Sequence, residues 1–372
     1  MAEHLQSRQM ASFMAPCAPL LLLTLSLCFY GVIQAKPLSD LTSPYLSPAT
    51  FPASYQKMLK TFKIFAYIPE KLQPFGTAVE SLFHDSLLKS SFITTNAEDA
   101  HLFYLPFPHD SSRNYRGIVR LIRNLRTDFP FWNRTLGADH FYVSCSGIGM
   151  NSDRNIVELK KNSVQISCFP TAEGRFIPHK DVSFPHLNDQ HLHAPPGNGT
   201  AKYLGYLNLN GSGDQNGKLE STFSNELRGD PQFLVESEAS DPALYAERLS
   251  SSKFCLFFYG GDVSGIGDAL QFGCVPVVIT ERPILDLPFM DVLRWSEIAV
   301  FVGAGGGVEG MKKQLGRTCE GDRYERMKNL AMVAGQHFVW NSSPQPYDAF
   351  HTVMYQLWLR RHTIRYARWE SI

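Results

Sequence analysis

The chain has 372 residues, of which 44% are hydrophobic, 12% aromatic and 19% charged, and its 35 Lys+Arg balance 35 Asp+Glu. That balance excludes a nucleic-acid binder that works by bulk phosphate neutralisation, and the apolar content excludes a disordered chain. Seven cysteines in such a length do not make a disulfide scaffold, and the length suits about two domains.

No charged residue lies between Met10 and Ala35, and Leu20 to Cys28 form the apolar centre of that stretch. About twenty apolar residues cross a hydrocarbon layer as a helix. The expectation is a short cytoplasmic tail over 1–9, a signal anchor over 10–35 and a Pro/Ser/Thr-rich stem over 36–54. A cleaved signal peptide ending near Ala35 is the alternative. Either way the remainder enters the secretory lumen, where the sequons at Asn133, Asn198, Asn210 and Asn341 meet glycosylation machinery. Of the later cysteines, Cys145, Cys168, Cys255, Cys274 and Cys319, an oxidising lumen allows two bridges and one thiol. Buried free thiols are the other reading.

The body alternates strand and helix. Phe62–Ile68 reads as a buried strand, Ala78–Lys89 as an amphipathic helix and His101–Pro106 as a second strand. Asn114 is placed to cap a helix to about Thr127; His140–Ser144 and Val164–Cys168 are further strands. Residues 186–200, rich in His, Pro, Gly and Asn, break the pattern. Strands resume at Tyr203–Leu207, Phe254–Phe258, Val275–Ile279 and Ala299–Val302. Helices are expected from Asp241 to Leu249 and over 308–315, 324–337 and 347–361. The sum is an α/β chain of two Rossmann-like domains facing a cleft, over 55–190 and 201–345, with a linker at 191–200 and a C-terminal helix over 346–372.

The turn Tyr259-Gly-Gly-Asp-Val-Ser-Gly-Ile-Gly-Asp268 follows a strand and opens a helix. Gly260, Gly261 and Gly265 let backbone amides approach a diphosphate, Ser264 is placed to cap the helix, and Asp268 to accept from a ribose. A tight junction that binds nothing is the plainer reading. Gly137-Ala-Asp139-His140 sets a carboxylate beside an imidazole, the chemistry of a general base; a pair ordering the strand entry is the alternative. Lys180 can meet a phosphate or pair with Asp181. His186, His191 and His193 include a His-x-His, but no further ligand completes a zinc shell. The chain has no Asp-x-Asp for a metal–diphosphate clamp and no Gly-x-Ser-x-Gly for an α/β-hydrolase.

From about Ser54 onward, ordered segments resemble the plant exostosin-like glycosyltransferases. They include Ala97–Pro106, Phe129–Phe141, Phe176–Val182, Asp268–Val278 and Phe338–Asn341. The resemblance implies a GT-B architecture, a type II Golgi membrane protein with a lumenal catalytic domain, and inverting transfer from a nucleotide sugar, UDP-linked, to a cell-wall polysaccharide or glycan. It implies no cofactor and no metal, and other Golgi glycosyltransferases as possible partners. Where active members carry His-Asp this chain has Ser146-Gly147, and where they carry basic residues it has Glu220 and Gly265. A diphosphate needs compensating charge, for which Arg282 and Lys180 are the candidates. Two readings follow from these departures: an active transferase with a divergent site, or an inactive relative serving as partner or scaffold.

Overall fold

Two parallel sheets, each drawn from short aromatic and β-branched runs, organise the molecule in a computed structural model. It describes residues 43–68, 75–107, 115–187, 201–209, 217–237 and 241–369, with side chains to 361. The expected anchor, Asn114, His191, His193, Asn198 and Asn210 lie outside the described residues. No helix among the described residues is long and apolar enough to cross a membrane.

The first sheet holds β1 Ile64–Ala66, β2 Leu102–Leu105, β3 His140–Val143, β4 Val164–Cys168 and β5 Val182–Phe184, in that spatial order. The second holds β6 Tyr203–Asn208, β7 Phe233–Glu236, β8 Ser252–Phe258, β9 Val275–Thr280 and β10 Val300–Gly303, ordered β10-β9-β8-β6-β7. Every pairing within them is parallel. β2 and β3 are buried throughout, as strands covered on both faces must be. This is an α/β fold built on two parallel five-stranded sheets.

The helices are α1 Phe51–Thr61, α2 Ala78–Lys89, α3 Tyr115–Asp128, α4 Phe131–Thr135, α5 Arg154–Asn162, α6 Gly217–Arg228, α7 Pro242–Ser250, α8 Ile266–Phe272, α9 Gly307–Thr318, α10 Arg323–Gly335 and α11 Ala349–Trp369. Thr77 and Glu80 form a capping box that fixes the start of α2, and Asp241 accepts from the amides of Ala243 and Leu244 at the start of α7.

The second half of the expected stem packs on the body of the protein. Leu46 donates its amide to Val292 O at 2.9 Å, Tyr45 bridges Leu293, and Phe51 is buried at the head of α1. The physical reason is that Tyr45, Phe51 and Tyr55 supply aromatic surface that stacks rather than stays wet. The C-terminal helix returns to the first sheet. Phe350 packs on Phe83 and Phe92, Trp358 on Phe62, and the Arg360 guanidinium donates to Lys180 O and Asp181 O at 2.8 and 3.0 Å. Cys145–Cys168 and Cys255–Cys274 are disulfides, and Cys319 is free.

Candidate active site

Ligands of parallel α/β sheets bind beyond the carboxyl ends of the strands. Here the two carboxyl edges meet at Asp286. Its carboxylate accepts from Thr171 N at 2.8 Å and Thr171 Oγ1 at 2.5 Å, in the loop after β4, and from Tyr259 Oη at 2.6 Å, just after β8. Ser183 Oγ donates to Asp286 O at 2.8 Å. Burial, and then the bond to the Asp286 carboxylate, push the Tyr259 phenol up to about 12. Sequence reasoning missed this staple, because Thr171 and Ser183 lie more than 100 residues from Asp286 and only the fold joins them.

The Gly-rich turn lies at the same edge. Gly260 has φ +99°, a left-handed conformation that a side chain would strain, and Gly261 N donates back to Phe258 O at 3.0 Å. The expected Ser264 cap does not form. Gly265 occupies the N-cap with no side-chain bond, while Ser264 N donates to Asp262 Oδ1 at 2.9 Å. Asp268 lies one turn into α8, buried, and the hydroxyl of Tyr245 from α7 bonds its carboxylate. A Cβ added at Gly265 would come 2.6 Å from Tyr245 Oη, so an arginine there requires Tyr245 to move. The glycine and the tyrosine are thus complementary.

Arg282, just beyond β9, lies over the Tyr259 ring at 5.2 Å, with Nη1 3.8 Å from Glu173 Oε2. Glu173 belongs to the loop after β4, and its side chain is 89% exposed. The one signal for it in the sequence is a lone carboxylate beside Gly174 in the loop that follows a strand, where loops of such folds carry function.

Asp139 and His140, the base candidates of the sequence, lie away from this edge. Both sit at the amino end of β3, opposite the ligand edge, with 1% and 0% exposure. The imidazole stacks on Phe103 and Tyr67 and meets Trp132 edge-on. Its Nδ1 is 2.8 Å from Asp139 Oδ1 and its Nε2 is 3.1 Å from Tyr67 Oη. Burial holds the His140 imidazole below its usual range despite the neighbouring carboxylate. Burial raises the Asp139 carboxyl, but His140, Thr135 and Arg134 outweigh it and hold the group low. The pair is buried and bonded at the strand entry, as in the alternative reading of the sequence.

Lys180 is enclosed in the same way. It precedes β5 and is buried, with Nζ paired to Asp181 and donating to Ser163 O at 2.6 Å. Asp181 also faces Lys160 at 3.8 Å. In this arrangement its ammonium is taken by the protein's own oxygens.

At the first departure from active members, Gly147 has φ +67° and Arg175 Nη1 donates to the carbonyls of Ser146 and Gly147 at 3.2 and 3.3 Å. Glu220 is buried on α6. Of the described sequons, Asn133 is exposed, and Asn341 is half-buried with its amide donating to Asp348 Oδ2 at 3.2 Å. His186 is exposed. Among the described residues no group of three or more His, Cys, Asp or Glu is placed to hold a metal ion.

The model of the exostosin GT47 domain matches residues 58–310. A probable glycosyltransferase of Arabidopsis thaliana is 30% identical over 357 residues, covering 86% of this chain and 66% of that protein. This chain therefore spans just under two thirds of that relative's length. A second probable glycosyltransferase of the same plant is 28% identical over 354 residues, covering 86% and 73%. Among solved structures, MurG of Acinetobacter baumannii shares 12% identity at a TM-score of 0.36, over 80% of this chain and 99% of that one. So loose a likeness bears on neither site nor substrate. The domain match runs across both sheets and into α9, and the chain belongs to the exostosin GT47 family of glycosyltransferases.

Proposed function

We propose that the protein transfers a sugar from a nucleotide-sugar donor, UDP-linked, to a cell-wall polysaccharide or glycan acceptor, with inversion and without a metal. The observation that carries the reading is the meeting of two carboxyl strand edges at Asp286, with a Gly-rich turn on one side and an exposed carboxylate on the other. The second half takes the donor. The turn Gly260–Gly265 faces the diphosphate, Asp268 accepts from the ribose, and the exposed Arg282 supplies compensating charge. The first half takes the acceptor, and Glu173 replaces Asp139 and His140 as its base. The acceptor oxygen loses its proton to Glu173 and bonds to the anomeric carbon from the face opposite the leaving group, while the bond from that carbon to the diphosphate oxygen breaks. Two disulfides and an exposed Asn133 sequon support residence in the Golgi lumen behind a type II anchor. Other Golgi transferases are its natural neighbours there.

A second reading, an inactive relative acting as partner or scaffold, is favoured by one observation. Tyr245 occupies the space beside Gly265 and already satisfies Asp268. UDP binding by the full chain in detergent decides between them. At about ten times its Kd, UDP should raise the melting temperature by about 2 °C, and Asp268→Asn should weaken UDP about tenfold without lowering the unliganded melting temperature. No UDP response, together with no turnover of labelled UDP-sugars, selects the scaffold.

A further inference from the structure

A cavity of about 620 Å³ lies between the amino-terminal half of α3 and the loop entering α5, lined by Tyr115, Arg116, Arg120, Arg123, Asn151 and Asp153. Helical geometry places Arg116, Arg120 and Arg123 on one face, with steps of about 6 Å and about 4.5 Å along the axis. The fourth arginine of the helix, Arg126, is bound to Glu158, which also takes Arg154 at 2.8 Å. Arg116, Arg120 and Arg123 are exposed and form no ion pair among the described residues. Asp153 is the carboxylate beside them, and its Oδ1 is committed to Asn155 N and Nδ2 at 2.8 and 3.0 Å, capping α5.

Like charges at three- and four-residue spacing repel and weaken a helix. In a chain of zero formal net charge, such an unneutralised row is conspicuous. A guanidinium fork fits a carboxylate, and three forks in register fit carboxylates repeated along a chain. The Tyr115 ring offers an apolar platform of the kind that sugar faces stack on, and Asn151 adds an amide for hydroxyls. The start of α3 and the loop into α5 follow β2 and β3, so the cavity shares the carboxyl edge of the first sheet with Glu173.

We infer that this cavity is an acceptor subsite for a uronate-bearing glycan, with Arg116, Arg120 and Arg123 pairing successive carboxylates. The inference rests on the first half being the acceptor side. A concave site suits an oligosaccharide better than a flat lipid surface.

The test measures binding of tetragalacturonate and of its fully methyl-esterified form to the full chain in detergent. The acid form should bind at least tenfold more tightly than the ester. The R116Q/R120Q/R123Q triple variant should lose at least tenfold for the acid form, with a shallower salt dependence. R323Q/R326Q, on α10, should change neither, and melting should confirm that both variants fold. Four outcomes overturn the inference: no binding of tetragalacturonate to the unmodified chain, equal affinity for acid and ester, an unaffected triple variant, or displacement of tetragalacturonate by UDP. Phosphatidylserine vesicles bound through the same arginines, in place of the oligosaccharide, also overturn it. A retained UDP melting response with failed glycan binding sinks the subsite alone, whereas a lost UDP response sinks the donor reading.

Discussion

The amino ends and the carboxyl ends of the strands use the same polar residues for different purposes. At the amino ends, Asp139–His140 before and within β3 and Lys180–Asp181 before β5 are sealed, paired and shielded by aromatic rings or by Arg360. At the carboxyl ends, Glu173 and Arg282 stand in solvent 3.8 Å apart, and no side chain caps the helix that opens after the turn following β8. The difference teaches that polar type and spacing are a poor guide to chemistry in this fold, and that position along the strand is a better one. The amino end of the first sheet braces; the exposed pair stands at the carboxyl ends.

That contrast can be broken most forcefully at Asp181. Its carboxylate serves both Lys160 and Lys180, and burial has pulled the Lys160 amine down to about 8. Asp181→Asn leaves two buried cations without their anion and should cost about 3–5 kcal/mol in urea denaturation. A loss under about 1 kcal/mol would mean that the amino-end cluster is not a brace.

The next effect is on acid stability. His337 is fully buried between Tyr45 Oη and Thr352 Oγ1, at 3.1 and 2.8 Å, and burial pushes its imidazole down to about 4. The unfolded chain takes up this proton near the ordinary histidine range, the folded chain only much lower. Stability is therefore intact above about 6.5 and falls as pH drops towards 4, by about 3 kcal/mol. Denaturation midpoints taken from pH 7 to 4.5 should show that fall, and H337Q should flatten it.

The smallest effect on stability belongs at the carboxyl edge. Glu173→Gln should change unfolding free energy by less than about 0.5 kcal/mol, since an exposed pair is worth little, yet lower the transfer rate about 100-fold. Unchanged turnover would remove Glu173 as the base.

Periodicity made much of the fold legible. Ala78–Lys89 and Val164–Cys168 match their runs because apolar spacing and caps agree there. β5 and β7, of three and four residues, are too short to show alternation. α5 turns few apolar residues inward, and α1 was masked by Pro52, which belongs in a helix's first turn and there resembled stem composition. The Gly-rich turn was legible from strand, glycines and helix in sequence. The Asp286 staple and the Tyr245–Asp268 bond were not, because they depend on which loops tertiary packing brings together.

The helix that shields the first sheet begins at Ala349, beyond the 58–310 stretch that the family shares as its domain. The two sheets are therefore not interchangeable cassettes. A chimaera that borrows its second half from a relative must keep this protein's own last helix, or Phe83 and Phe92 lose their Phe350 partner and Phe62 loses Trp358. Sequence drift in the tail is accordingly constrained by residues near the start, a coupling that a boundary drawn between the sheets would hide.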